Sequence, residues 1–108
     1  MKFDAVIIGG GLSGLACGIS LAEAGKRCAI VSSGQGALHF SSGSIDLLGY
    51  SNGEEVQNAL DAIATLPAEH PYSLVGAENV KAIAEAAPAF FEKASVKVKG
   101  NSAKNHYR

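Results

Sequence analysis

The chain has 108 residues, 47% of them hydrophobic and 18% charged. With a mean hydropathy of +0.16 it is too apolar and too weakly charged to stay disordered, and long enough for one domain with a core. Its formal net charge of −1 hides a partition, four bases and ten acids in the first 92 residues against five bases and no acid in the last sixteen; without an aromatic platform or a binding motif that basic tail reads as a solvated face, and nucleic acid is not an expected partner.

Residues 3–8, Phe-Asp-Ala-Val-Ile-Ile, are short, rich in β-branched side chains and run directly into glycine, which predicts a buried parallel strand. After Gly9-Gly10-Gly11, the residues Leu12, Leu15, Ala16, Ile19 and Ala22 recur at helical spacing and Gly25 stands where a helix ends, predicting a helix of about 13 residues. Residues 27–32, centred on Cys28-Ala29-Ile30-Val31, predict a second strand. Strand, helix and strand close within the length of a βαβ unit. Residues 5–22 carry no charge, but five glycines interrupt them and Asp4 stands where a signal peptide carries positive charge, so neither a leader nor direct membrane insertion is expected. Cys17 and Cys28 match no metal or redox spacing and read as small buried hydrophobes in a reducing cytoplasm.

Residues 33–53 hold five glycines and five serines around the apolar island Ala37-Leu38-His39-Phe40, the texture of a long irregular loop, which inside a compact domain is functional or disordered. Ser51-Asn52-Gly53-Glu54 reads as a capping box opening a helix whose buried face is Val56, Ala59, Leu60 and Ile63, closed by Pro67. A second helical pattern covers residues 78–94, with Pro88 as a kink or break. Val96-Lys97-Val98-Lys99 alternates like the start of a further strand, and the sequence then stops without closing the sheet. The expected organisation is therefore a βαβ nucleotide- or flavin-binding unit over 1–34, a Gly/Ser-rich loop over 35–53 and a helical segment over 54–108, all within an α/β fold whose doubly wound parallel sheet is incomplete, read as part of a larger protein.

The chemistry-bearing signal is Gly9-x-Gly11-x-x-Gly14, placed between a strand and a helix. Gly9 permits the tight turn, Gly11 lets the backbone approach a phosphate, and Gly14 lets helix pack on strand, while the helix N-terminus favours an anion without any lysine. Gly9, Gly10, Gly11, Leu12, Ser13 and Gly14 are thus candidate cofactor contacts in a Rossmann-like FAD/NAD(P)-binding unit. A dinucleotide-binding unit normally ends its second strand in Asp or Glu, which grips the adenosine ribose; Ser32 stands there instead, 23 residues past Gly9, followed by Ser33. A flavin with one phosphate, or a dinucleotide held differently, accommodates that change. Ser41, Ser42, Gly43 and Ser44 supply hydroxyls and N–H groups for a second phosphate or ring contact, with a flexible turn as the alternative. His39 beside them reads as structural, with contact to a flavin carbonyl as its other role; His70 reads as a turn residue, and His106 carries no catalytic expectation. No metal site and no catalytic residue is assigned.

The opening Phe3-Asp4-Ala5-Val6-Ile7-Ile8-Gly9-Gly10-Gly11-Leu12-Ser13-Gly14-Leu15 resembles the start of flavoproteins with two dinucleotide-binding domains. The stretch from Arg27 through Leu48, with His70-Pro71-Tyr72-Ser73-Leu74, narrows the resemblance to the B subunits of the anaerobic glycerol-3-phosphate dehydrogenases, over essentially the whole chain and about the first quarter of that family's usual length. The resemblance implies an FMN-associated subunit (FAD is the alternative) pairing with a FAD-containing catalytic subunit and a membrane-anchoring iron–sulfur subunit. Together these oxidise sn-glycerol 3-phosphate to dihydroxyacetone phosphate and pass electrons to quinone; the complex is cytoplasmic, peripheral at the inner face of the cell membrane. Another FAD- or NAD(P)-dependent oxidoreductase and a cofactor-free structural subunit are the alternative readings.

Overall fold

Ala5–Ile8 forms β1, Leu12–Glu23 forms α1 and Cys28–Val31 forms β2 in the computed structural model of the chain, which describes residues 1–103 as two compact units divided after Ser44. β1 and β2 pair in parallel, Ala5 beside Cys28 and Ile8 beside Val31. This is the βαβ arrangement of a Rossmann-like α/β fold. The ladder is extended at both ends, where the Asp4 N–H donates to the Arg27 carbonyl at 2.8 Å and the Gly9 N–H to the Val31 carbonyl at 2.8 Å. The Asp4 carboxylate also accepts from the Arg27 N–H at 2.8 Å.

α1 stops at the expected place by a local mechanism. Gly25 takes φ +76°, its N–H donates to the Ala22 carbonyl at 2.9 Å and the Lys26 N–H to the Leu21 carbonyl at 2.9 Å, the paired bonds of a Schellman ending. One face of α1 lies on the sheet through its buried Gly18, where an added Cβ would stand 2.9 Å from Ile30 Cδ1 and 3.4 Å from Ile7 Cδ1. The opposite sheet face is open: Val6 is 60% and Ile8 89% exposed. The sequence reading of β1 as a strand buried on both sides is thus corrected: among the described residues α1 packs on one face of this sheet, and the other face is exposed. A similar correction applies to the cysteines. Cys17 is exposed on α1 and Cys28 half-buried, and both thiols are free.

Residues 33–53 are not irregular throughout. Ala37–Phe40, the apolar island, forms one turn of 3-10 helix, and in the second unit Tyr50–Ser51 (β3) and Glu54–Glu55 (β4) pair as an antiparallel hairpin. Its two-residue loop is Asn52-Gly53, at φ 51° and 83°. Asn-Gly is the preferred pair for a type I′ turn, in which both central residues have positive φ. The capping-box reading of residues 51–54 is therefore overturned. The helix expected there begins later as α2 (Ala59–Ile63), capped by Asn58, whose Oδ1 accepts from the Leu60 and Asp61 N–H groups at 3.1 and 3.4 Å.

A helix that the sequence pattern does not announce, α3 (Pro71–Val75), follows: Pro71 opens it, and His70 Nδ1 accepts from the Tyr72 N–H at 3.1 Å. The Tyr72 hydroxyl donates to the Leu47 carbonyl at 2.7 Å, tying α3 to the start of its own unit. α4 (Ala77–Glu92) runs through Pro88 without interruption, so of the expected kink or break the break does not occur. α2 and α3 pack against α4, and Ile63 and Val80 are the buried hydrophobic side chains among the described residues. Val96-Lys97-Val98-Lys99 forms no strand; a ladder needs a partner, and the alternating pattern finds none in the described residues. His106 and the last two bases of the tail, Lys104 and Arg108, fall outside the described residues.

Asn58 is the cap of a five-residue helix that cannot sustain itself by propensity. Asn58→Ala is expected to destabilise the whole protein by about 1 kcal/mol, read as a shift of the chemical unfolding midpoint with the slope unchanged.

Candidate functional site

The turn between β1 and α1 is built by glycines that do three different things. Gly9 has φ +112°, a backbone conformation that L side chains rarely adopt. A Cβ on Gly14 would overlap the Gly9 carbonyl oxygen and approach Ile7 Cγ2 to 3.4 Å, so the first helical turn sits directly on the strand end. Gly11 differs from both: its φ of −79° suits any residue, and an added Cβ would meet nothing within 4 Å. Neither packing nor backbone conformation in this chain calls for glycine there. The space that its missing Cβ leaves lies at the N-terminus of α1.

That N-terminus has the electrostatics of an anion site. Gly11 is the N-cap, no side chain caps it, no acid lies in the first turn, and the Leu15 N–H closes the opening turn of the helix on the Gly11 carbonyl at 3.0 Å. The N–H groups of Leu12, Ser13 and Gly14 precede that bond and point outward with the positive end of the helix dipole. A flavin phosphate fits this cradle, since it supplies acceptors for the N–H groups and fills the volume a Cβ at Gly11 would take.

Beside the turn lies an open groove of about 480 Å³. Leu15 of α1, Ile30 of β2 and Leu38 of the 3-10 turn form its apolar wall, and Ser32, Gln35 and His39 bring polar groups to it. Gly10, Gly34 and Gly36 complete the lining. The loop after β2 returns closely onto the glycine turn, for a Cβ on Gly36 would come within 2.9 Å of the Gly10 carbonyl oxygen and of Gly11 Cα. A Cβ on Gly10 would stand 3.0 Å from Ser32 Oγ. The end of β2 therefore lies directly against the glycine turn.

The structure brings Gly9, Gly10, Gly11, Leu12, Ser13, Gly14 and Ser32 together. Ser33 and the run Ser41, Ser42, Gly43 and Ser44 do not line the groove. Within that run the Gly43 N–H donates to Ser41 Oγ at 3.3 Å and Ser42 Oγ to Ser44 Oγ at 3.3 Å. His39 lines the groove, its ring edge-on to Phe40 at 4.9 Å between centroids, and the His39 backbone N–H donates to the Gly36 carbonyl at 3.1 Å. Gln35 and Gly36 are lining residues that sequence reasoning does not select; their only signal is a polar residue between glycines just past a strand end. His70, by contrast, caps α3. Among the described residues, no group of three or more His, Cys, Asp or Glu is placed to hold a metal ion, and no helix is long and apolar enough to cross a membrane.

The family described as "FAD binding domain" matches residues 4–108. Relatives similar over the whole chain are named as the B subunit of anaerobic glycerol-3-phosphate dehydrogenase, with 52% identity in Pectobacterium atrosepticum, 53% in Yersinia pestis and 52% in Actinobacillus succinogenes. The chain spans 27%, 27% and 26% of the lengths of those relatives. No solved structure matches it.

Proposed function

The chain belongs to the FAD binding domain family, and from that premise we propose that it is the cofactor-binding start of a flavin-dependent oxidoreductase subunit, holding a flavin phosphate at the N-terminus of α1. The observation that carries the reading is Gly11: a glycine required by nothing in its own chain, at an uncapped helix N-terminus. The Leu12, Ser13 and Gly14 N–H groups bind and orient the phosphate, and Gly14 keeps them at the strand end. A bound flavin supplies the capacity to accept a hydride from an alcohol and release the electrons in a later step.

The names of the relatives specify an anaerobic glycerol-3-phosphate dehydrogenase. The proposed reaction of the whole enzyme is accordingly oxidation of sn-glycerol 3-phosphate to dihydroxyacetone phosphate, with quinone as the electron acceptor. A name that specifies one subunit implies an assembly; its other members are proposed to be a FAD-containing catalytic subunit and a membrane-anchoring iron–sulfur subunit, which hold this one at the inner face of the membrane. The flavin is proposed to be FMN, supported by a serine rather than a carboxylate at position 32. FAD is the second reading, favoured by the family description and by the groove beside β2, where an adenosine half has room.

Visible absorption of the native assembly, followed by mass spectrometry of the acid-released chromophore of this subunit, tests the proposal. FMN is the expected result. FAD from this subunit selects the second reading, and an intact assembly whose subunit releases no flavin sinks the proposal in favour of a structural subunit.

A further inference from the structure

We propose that Ser32 is a specificity residue that removes the advantage a dinucleotide flavin would otherwise have over a mononucleotide at this site. The inference rests on the flavin reading above and concerns how the site chooses between the two forms. A ribose diol presents two hydroxyl donors, and the Asp or Glu that normally ends the second strand of such a unit accepts both with an ionised group. At the same place in this chain, one residue past β2, the acceptor is a single hydroxyl that is already engaged. Ser32 Oγ donates to the Gly34 carbonyl at 2.6 Å and accepts from the Gly34 N–H at 3.4 Å. With one proton and two lone pairs, a serine hydroxyl so occupied has a single lone pair left and no charge.

The same bonds give Ser32 a second role. They close the turn that directs Gly34, Gln35 and Gly36 back over the glycine turn, where Gly36 lies so near Gly10 and Gly11 that a Cβ on it would collide with both. Ser32 therefore shapes the rim of the phosphate cradle while giving little to an adenosine ribose beyond it. The groove past the rim offers an adenosine an apolar wall of Leu15, Ile30 and Leu38, and its other polar side chains, Gln35 and His39, bring no carboxylate to accept from both hydroxyls of the diol. A mononucleotide flavin keeps every contact at the α1 N-terminus and brings no adenosine diol into the groove.

The test uses the full-length subunit, separated from its partners and stripped of flavin, and titrated separately with FMN and FAD, binding being read from the change in flavin fluorescence. In the wild-type protein FAD is expected to bind no more tightly than FMN. Ser32→Asp is expected to raise the affinity for FAD relative to FMN by about tenfold or more, the range of one hydrogen-bonded pair with a charged partner. Ser32→Ala, which removes the hydroxyl and adds no acceptor, is expected to leave the ratio unchanged. A wild-type preference for FAD of about tenfold overturns the inference, as does a folded Ser32→Asp protein with the wild-type ratio or a Ser32→Ala protein with the ratio expected for Asp. If Ser32→Asp does not fold, the wild-type ratio alone decides. Failure of the stripped wild-type protein to bind either flavin overturns the flavin reading, and this inference with it.

Discussion

Replacing Gly14 with alanine is expected to cost the protein about 3 kcal/mol of stability, the upper range for forcing an extra carbon into a close-packed site. The added methyl group has nowhere to go. It would overlap the Gly9 carbonyl oxygen, a backbone atom at the end of β1 whose neighbouring N–H is bonded to Val31 at 2.8 Å, so neither partner can turn aside as a flexible side chain would. Relief requires lifting α1 from the strand end. That withdraws the Leu12 and Ser13 N–H groups from their shared aim as well, and flavin is expected to be lost along with stability. Thermal unfolding of the flavin-stripped protein separates the two effects, and an unchanged midpoint for Gly14→Ala would show that the helix does not sit on the strand as described.

Gly11→Val is expected to do the reverse, costing the stripped protein no more than about 1 kcal/mol, the loss of a favourable N-cap residue, while weakening flavin binding by about a hundredfold. The backbone of Gly11 is at φ −79°, and an added Cβ meets nothing within 4 Å, so the chain itself tolerates the substitution. A phosphate at the cradle does not, because the side chain takes the volume through which it approaches. Losing two charge-assisted hydrogen bonds from backbone N–H groups accounts for an effect of that size. Gly11→Ala should fall between. Paired measurements of melting and of FMN titration on the Gly14 and Gly11 variants distinguish a glycine kept for packing from one kept for a ligand. Equal flavin binding by Gly11→Val and wild type would move the phosphate away from this turn.

What the sequence by itself determined is what short stretches of chain decide locally. The glycine turn, the start of α1 behind it, its end at Gly25 and the two flanking strands depend on backbone preferences and hydrophobic spacing within a few residues, and each is legible there. Three features read differently because the local signal serves two outcomes. Ser51-Asn52-Gly53-Glu54 fits both a helix cap and a hairpin turn, and pairing of Tyr50 with Glu55 chose the turn. Pro88 breaks some helices, yet the packing of α2 and α3 on α4 accompanies an uninterrupted one. Val96-Lys97-Val98-Lys99 has the alternation of a strand, but strands are made by partners.

The site divides along the same line. That a phosphate cradle is expected at Gly9, Gly11 and Gly14 follows from one turn and its adjoining helix, and residue types at fixed spacing suffice for it. That Ser32 spends its hydroxyl on Gly34, that Gly36 returns to lie against Gly10, and that Gln35 and His39 rather than Ser41–Ser44 face the groove were decided by tertiary structure. The path of a loop depends on which surface it meets. For residues 33–40 that surface is the glycine turn, brought within reach only by the parallel pairing of β1 with β2.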